Sequence, residues 1–274
     1  MKKDWTQDTV TVDNGIELFY TRTGGNKPPL VLAHGLTDEG LSWHQLASDL
    51  ETNYDVIMYD AYGHGKSSRI DTKKRLDLAE DLHDLIQALQ LGKPGIIGHS
   101  MGADTASKFA ATYPDMLAAL VLEDPPWSDM PFDEKIAKST MQEWKKQNLA
   151  YKEKSIKELI KLKKKESPNW EEAILEQWAE SKLEMDPAFF DVFTLDRMPW
   201  RERAKAIKVP TLIITGDNER GAIVTPKLGV EAVQLFDKGE FGHISAAGHC
   251  VRYEQYHPYL TMVQLFLKRN LPAK

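Results

Sequence analysis

Ser100 lies in the stretch GIIGHSMGADT, residues 95 to 105, with Gly98 and Gly102 two places to either side. A serine at the end of an apolar run can cap the helix that follows, its hydroxyl accepting an orphan backbone N–H. Capping does not call for glycine at both second neighbours, because glycine costs backbone entropy and is used where chains approach closely or φ is unusual. A serine on a sharp strand-to-helix turn accounts for both glycines: its Oγ projects from the end of the sheet, and side chains two places before and after would collide. Ser100 is therefore the candidate nucleophile. A serine hydroxyl is a weak nucleophile near neutral pH, so it needs a base, an acid that orients the base, and a site for the developing oxyanion.

The base is expected at His249, which follows the small-residue loop SAAG. Three carboxylates compete for the acid. Glu219 and Asp217 lie in TGDNERG, after the apolar run TLIIT, and Asp124 ends ALVLED. Glu219 is far enough past its strand to turn back toward His249 and is the preferred acid. Asp217 is placed to brace the turn itself, and Asp124 and Asp217 stand as alternatives. In LAHGLTDEG, His34 and Gly35 can shape a loop that points the Leu36 N–H at a reacting carbonyl, beside the Met101 N–H that opens the next helix. Two such donors make an oxyanion hole. His34 reads chiefly as a residue that holds this loop, and it is carried with Trp127 and Trp144 as a candidate for substrate contact. The segment GHGKS, 63 to 67, resembles the end of a phosphate-binding loop, but the full pattern requires glycine where Asp60 stands.

These residues need a rigid frame, and the apolar runs supply one. TVTV (9–12) and IELFY (16–20) flank DNG, a hairpin signal. LVLA (30–33), DVIMYD (55–60), GIIG (95–98), ALVLED (119–124), TLIIT (211–215) and GEFGHI (239–244) read as further strands, most of them apolar on both faces, as in a parallel sheet covered by helices. Leu78, Leu82, Leu85, Ile86 and Leu89 recur at helical spacing between two of them. The expectation is an α/β fold with a mostly parallel, doubly wound, eight-stranded sheet. Between 127 and 209 no strand is visible, and Ile136, Met141, Trp144, Ile156, Leu159, Ile160, Ile174, Leu175 and Trp178 suggest amphipathic helices. Residues 1–127 and 205–274 are assigned to the core domain and 128–204 to an inserted helical cap. Lys and Arg outnumber Asp and Glu by 11 to 5 over 133–165, and the balance is 1 to 9 over 166–196. Opposed charge so close favours pairing within the cap over a nucleic-acid patch.

The chain of 274 residues carries a net charge of −6, which argues against a nucleic-acid partner. The opening MKKDWTQDTV has no apolar stretch behind its lysines, and no apolar run reaches the roughly 18 residues a membrane span needs. One cysteine, Cys250, precludes an intrachain disulfide and suits a reducing cytoplasm. The eight histidines show no zinc-hydrolase spacing, so neither a metal nor a cofactor is expected.

Taken together, AHGLTD, DAYGHGKSS, GHSMG, VLEDPP, ITGDNERG and AAGH resemble the α/β-hydrolase family, specifically its small capped serine esterase and lactonase branch, over residues 10–127 and 205–270. The resemblance implies a triad of Ser100, His249 and the acid three residues past the glycine of the penultimate strand, which is Glu219. That position more often holds aspartate, and some relatives place the acid after the earlier strand, which keeps Asp124 in play. Serine at the elbow disfavours the epoxide hydrolases and haloalkane dehalogenases, which use aspartate there. The expected activity is hydrolysis of a small, largely apolar carboxylic ester or lactone through an acyl-enzyme. Cleavage of a C–C or amide bond by the same triad is the alternative, as is a low-turnover ligand sensor acting through a protein partner. The cap aromatics Trp127, Trp144, Trp170, Trp178 and Phe189 favour an apolar substrate, and the chain is expected to be a monomer or homodimer.

Overall fold

Eight short apolar runs become eight strands. They are β1 (Thr6–Val12), β2 (Ile16–Arg22), β3 (Pro29–Ala33), β4 (Asp55–Tyr59), β5 (Gly95–His99), β6 (Ala119–Glu123), β7 (Thr211–Thr215) and β8 (Gly239–His243). The computed structural model describes residues 5–13, 15–129, 133–194 and 198–272, so Asn14 of the expected hairpin turn lies outside the described residues. The strands join in one sheet of order β1-β2-β4-β3-β5-β6-β7-β8. β1 and β2 pair antiparallel, β2 pairs antiparallel with β4, and every later pair is parallel. Strands β4 to β7 are buried along their whole length. That is the burial a parallel sheet gains from helices on both faces.

The helices before β6 are α1 (His44–Leu50), α2 (Leu78–Ala88) and α3 (Met101–Thr112). α4 (Glu134–Lys152), α5 (Ile156–Glu166), α6 (Glu172–Glu184), α7 (Phe189–Val192) and α8 (Trp200–Ala206) lie between β6 and β7. After β7 come α9 (Pro226–Leu235), α10 (Val251–Glu254) and α11 (Tyr256–Asn270). One apolar layer, with Leu82, Phe109 and Trp127, fills one face of the sheet, and a second, with Trp43, Tyr259 and Phe266, fills the other. α4 to α7 form the helical insertion. Helix α8 is tied to the body instead, its Arg203 guanidinium donating to the Asp104 carbonyl (3.2 Å) and the Ser107 hydroxyl (3.1 Å) of α3. The segregated cap charges meet where Lys145 of α4 reaches Asp191 of α7 at 2.5 Å.

The glycines around Ser100 answer to close backbone approach. A Cβ on Gly98 would lie 2.4 Å from the Gly102 carbonyl oxygen, and one on Gly102 would lie 2.1 Å from that of Ala33. Helix α3 thus leaves the sheet with its first turn pressed against β3 and β5. Ser100 takes the strain of the turn, at φ 52°, a region costly for a residue with a Cβ.

Candidate active site

Ser100 stands between β5 and α3, its N–H bonded to the Glu123 carbonyl of β6 at 3.0 Å and its hydroxyl making no cap bond to the helix. A hydroxyl spared from capping is free for other chemistry. Ser100 and His249 line the same cavity, of about 140 Å³, at the carboxyl end of the sheet. A larger hollow of about 350 Å³ lies on the flank of α3 and is lined by neither residue, nor by any other histidine or cysteine. Of the two, the smaller holds the expected nucleophile and base.

The imidazole of His249 is held by Asp124, with Nδ1 2.6 Å from Oδ2. The contact leaves Nε2 as the nitrogen available to a hydroxyl. Asp124 is fully buried, and its carboxylate is satisfied from the backbone: Ile223 N–H donates to Oδ2 at 2.8 Å and Val224 N–H to Oδ1 at 2.9 Å. The Thr215 hydroxyl lies 3.1 Å from Oδ1. Donors of this kind replace the water contacts a buried carboxylate gives up. The backbone strains to present it, with φ 40° at Asp124.

The preference for Glu219 as the acid is corrected by this geometry. Glu219 sits exposed in the 3₁₀ turn Asn218–Arg220, and the left-handed Gly221 then redirects the chain so that Ile223 and Val224 pass over Asp124. Asp217 does brace its loop. It accepts from the Ala246 N–H at 2.8 Å and contacts His243 Nε2 at 2.9 Å, not His249. The Ala246 bond, ahead of the contact with His243, holds its carboxyl below the usual range.

Leu36 lines the cavity beside Gly35, and Met101 is the first residue of α3. Among the described residues no backbone acceptor takes either N–H, and the start of α3 adds the positive end of its dipole. The three residues expected to contact substrate are not brought to the cavity. His34 is buried below it, its Nδ1 on the Gly35 carbonyl at 2.8 Å and its Nε2 accepting from Ala61 N–H at 2.9 Å, and burial lowers its pKa to about 4. Trp127 is 2% exposed because it stacks on Trp200 in the core. Trp144 is 43% exposed, facing away on α4. Trp170 and Trp178 do line the cavity. The sequence offered no signal for His99, whose Nε2 donates to the His249 carbonyl at 3.0 Å and fixes the loop that carries His249. Cys250 borders the same space, but burial pushes its thiol up to about 12, which keeps it protonated. No group of three or more His, Cys, Asp or Glu side chains among the described residues is clustered as metal ligands would be. No described helix is long and apolar enough to cross a membrane.

Residues 28–256 match the family model for the α/β hydrolase fold. The chain belongs to the α/β hydrolase family. Among curated members it is 26% identical to a 2-hydroxy-6-oxononadienedioate/2-hydroxy-6-oxononatrienedioate hydrolase of Burkholderia vietnamiensis, over 94% of each chain. It is 38% identical to the N-formylmaleamate deformylase of Pseudomonas putida, over 42% of this chain and 44% of that one. Among solved structures, an enol-lactonase from Burkholderia xenovorans superposes with a TM-score of 0.76 at 22% identity, covering 95% of this chain and all of the other. An esterase from Thermogutta terrifontis does so with a TM-score of 0.74 at 24% identity, covering 96% and 98%. These likenesses establish the α/β hydrolase fold.

In this α/β hydrolase the loop after β3 also bears on the cap. Glu39 is buried there, taking a hydrogen bond from Gln177 of α6. Burial above all, then a hydrogen bond to Glu184 and the charges of Asp60 and Glu180, pushes its carboxyl from 4.5 to about 9. The folded state therefore holds a proton that the unfolded chain releases. The associated stability is complete below about pH 4.5 and is lost as pH rises through about 9. Asp60, raised to about 6, and Asp81, raised to about 7, act in the same direction lower down. Burial also lowers the pKa of His34, His64 and His99, which opposes this loss below about pH 6.5, so in thermal melts Tm is expected to fall from pH 7 to pH 9, and Glu39→Gln should flatten that fall. A wild-type slope left unchanged by that substitution would contradict a neutral Glu39.

Proposed function

We propose that the protein is a serine hydrolase that cleaves a carboxylic ester or lactone of a small substrate through an acyl-enzyme on Ser100. The observation that carries this reading is the His249–Asp124 contact, 2.6 Å long, at the wall of a cavity shared with Ser100. In the proposed cycle Ser100 Oγ attacks the carbonyl carbon while His249 Nε2 takes its proton. Asp124 holds the imidazole in the useful tautomer and stabilises the imidazolium. The Leu36 and Met101 N–H groups receive the oxyanion, each such donor being worth about 10² to 10³ in rate. The tetrahedral intermediate collapses, His249 protonates the leaving alcohol, and a water activated by the same histidine releases the acid. A volume of about 140 Å³ is below the range of roughly 300 to 1,000 Å³ for drug-sized ligands, which favours a short acyl group or a small ring.

The second reading is cleavage of a C–C or amide bond by the same residues. It is supported by two of the relatives, a 2-hydroxy-6-oxononadienedioate/2-hydroxy-6-oxononatrienedioate hydrolase and an N-formylmaleamate deformylase. In that case His249 would protonate a carbon or nitrogen leaving group. A panel of 4-nitrophenyl esters of increasing chain length, run beside acyl lactones, a vinylogous 1,5-diketo acid and N-formyl amides, separates the readings by kcat/KM. Rapid turnover of the shorter esters or lactones is expected. Preference for the diketo acid or the amides would move the assignment to the second reading. Release of one equivalent per protein with no further turnover would favour a ligand sensor.

A further inference from the structure

We propose that Lys163 of the cap reads a carboxylate on the substrate, so that the preferred molecules carry an acid group apart from the bond that is cleaved. The cleavage itself rests on the hydrolase reading above; the binding of the anion does not.

Leu159 is fully buried on α5, and Lys163 follows it by four residues, hence on the same face. An apolar side chain is what that face would ordinarily take. Within the run Lys161-Leu162-Lys163-Lys164-Lys165, Lys161, Lys164 and Lys165 are exposed, whereas the Lys163 side chain retains 19% of its surface. Lys163 is turned inward, onto the cavity that holds Ser100 and His249. Its Nζ lies 4.7 Å from the ring centre of Trp170 and 5.5 Å from that of Trp178. Two indoles thus fix the ammonium in place, and they attract it without cancelling its charge.

The other charges of the wall are matched. Lys182 donates to Asp38 Oδ1 at 2.9 Å, to the Thr37 carbonyl at 2.8 Å and to the Ser181 hydroxyl at 3.2 Å. Arg252, behind the cavity, pairs with Glu123 at 3.0 Å and approaches Asp38 at 3.9 Å. Burial alone would raise the Asp38 carboxyl, but the Lys182 and Arg252 charges outweigh it and hold the group below its usual value. Asp124 is satisfied by His249 and by the Ile223 and Val224 N–H groups. Among the described residues Lys163 has only Glu166 as a salt-bridge partner, at 3.4 Å, and the Glu166 side chain is 54% exposed, on the rim. A half-buried ammonium with so weak a counter-charge is a receptor for an anion entering the cavity.

Binding is tested without turnover by titrating the wild type with adipate and with its uncharged isostere adipamide, followed by tryptophan fluorescence. Adipate is expected to bind at least tenfold more tightly, the size of a charge-assisted hydrogen bond. That preference should vanish in Lys163→Met, which keeps the stem over the indoles, persist in Lys163→Arg, and shrink with added salt. Equal affinity of the two probes for the wild type, including no binding of either, overturns the proposal, as does a preference that survives in Lys163→Met with its melt unchanged. Turnover is compared with mono-4-nitrophenyl adipate and 4-nitrophenyl hexanoate. The ratio of their kcat/KM values should fall at least tenfold in Lys163→Met, chiefly through KM. If neither ester is hydrolysed while adipate is still preferred, it is the hydrolase reading that fails. If both are hydrolysed and the ratio does not move, it is the role of Lys163.

Discussion

Ser100→Ala is expected to lower kcat on the best ester by on the order of 10⁴ or more while leaving the protein folded. The loss is large because attack by the hydroxyl is the step that makes the acyl-enzyme, and the remaining oxyanion donors and binding contacts supply only what is left over water. The fold should survive because the hydroxyl caps nothing in α3, and because alanine keeps the Cβ that serine already holds at φ 52°. The strain of the turn is the same in both. Assays on material free of host esterases, with unfolding curves alongside, check both halves. A residual kcat above about a tenth of wild type would remove Ser100 from the nucleophile role. A fluorophosphonate should label the wild type once, at Ser100, and the variant not at all.

Asp124→Asn is expected to cost about 10³ to 10⁴ in kcat, close to what losing the acid of a serine triad costs elsewhere. An amide facing Nδ1 can hold the imidazole in the wrong tautomer and gives the imidazolium no charge to rest on. Some stability should go as well, since the Ile223 and Val224 N–H groups and the Thr215 hydroxyl converge on this carboxylate and an amide NH₂ cannot accept from them. Unfolding midpoints must therefore be measured with the kinetics. Glu219→Gln, on an exposed turn, should stay within about twofold of wild type, as surface substitutions away from special features do. The reverse ranking would return the acid to the loop after β7. Asp217→Asn should act on stability through the Ala246 bond and leave kcat nearly alone.

The acid was the residue least legible in the sequence, and the reason is physical. β6 and β7 both end in a carboxylate-bearing loop, so position along the chain ranks Glu219, Asp217 and Asp124 on distance alone. What selects Asp124 is a pair of backbone N–H groups from residues 223 and 224, about a hundred positions away, brought over it by a left-handed glycine. Nothing in the side-chain pattern announces them. The strands were legible because runs such as TLIIT and ALVLE are apolar on both faces. The elbow was legible because close approach leaves glycine behind as its mark. Aromatic residues misled where only exposure distinguishes them: Trp127 and Trp144 read as pocket residues beside Trp170 and Trp178, yet one is stacked in the core and the other faces outward. Lys163 was hidden in a run whose charge reads as a solvated face.

Glu123 and Asp124 are consecutive, yet they hold different partners. Glu123 reaches back to the buried guanidinium of Arg252, and Asp124 reaches forward to His249. β6 is held beside β5 with His99 opposite Glu123, and the Ser100 N–H closes on the Glu123 carbonyl. Ser100 and Asp124 are therefore spaced by the pairing of two neighbouring strands and not by any loop. A slip of one residue in β6 would bring Glu123 to the place of Asp124 and Leu122 to that of Glu123, offering the histidine a longer side chain and leaving Arg252 only the more distant Asp38. Breaking a buried ion pair costs about 3 to 5 kcal/mol. The ion pair behind the cavity thus proofreads the alignment of the residues that line it.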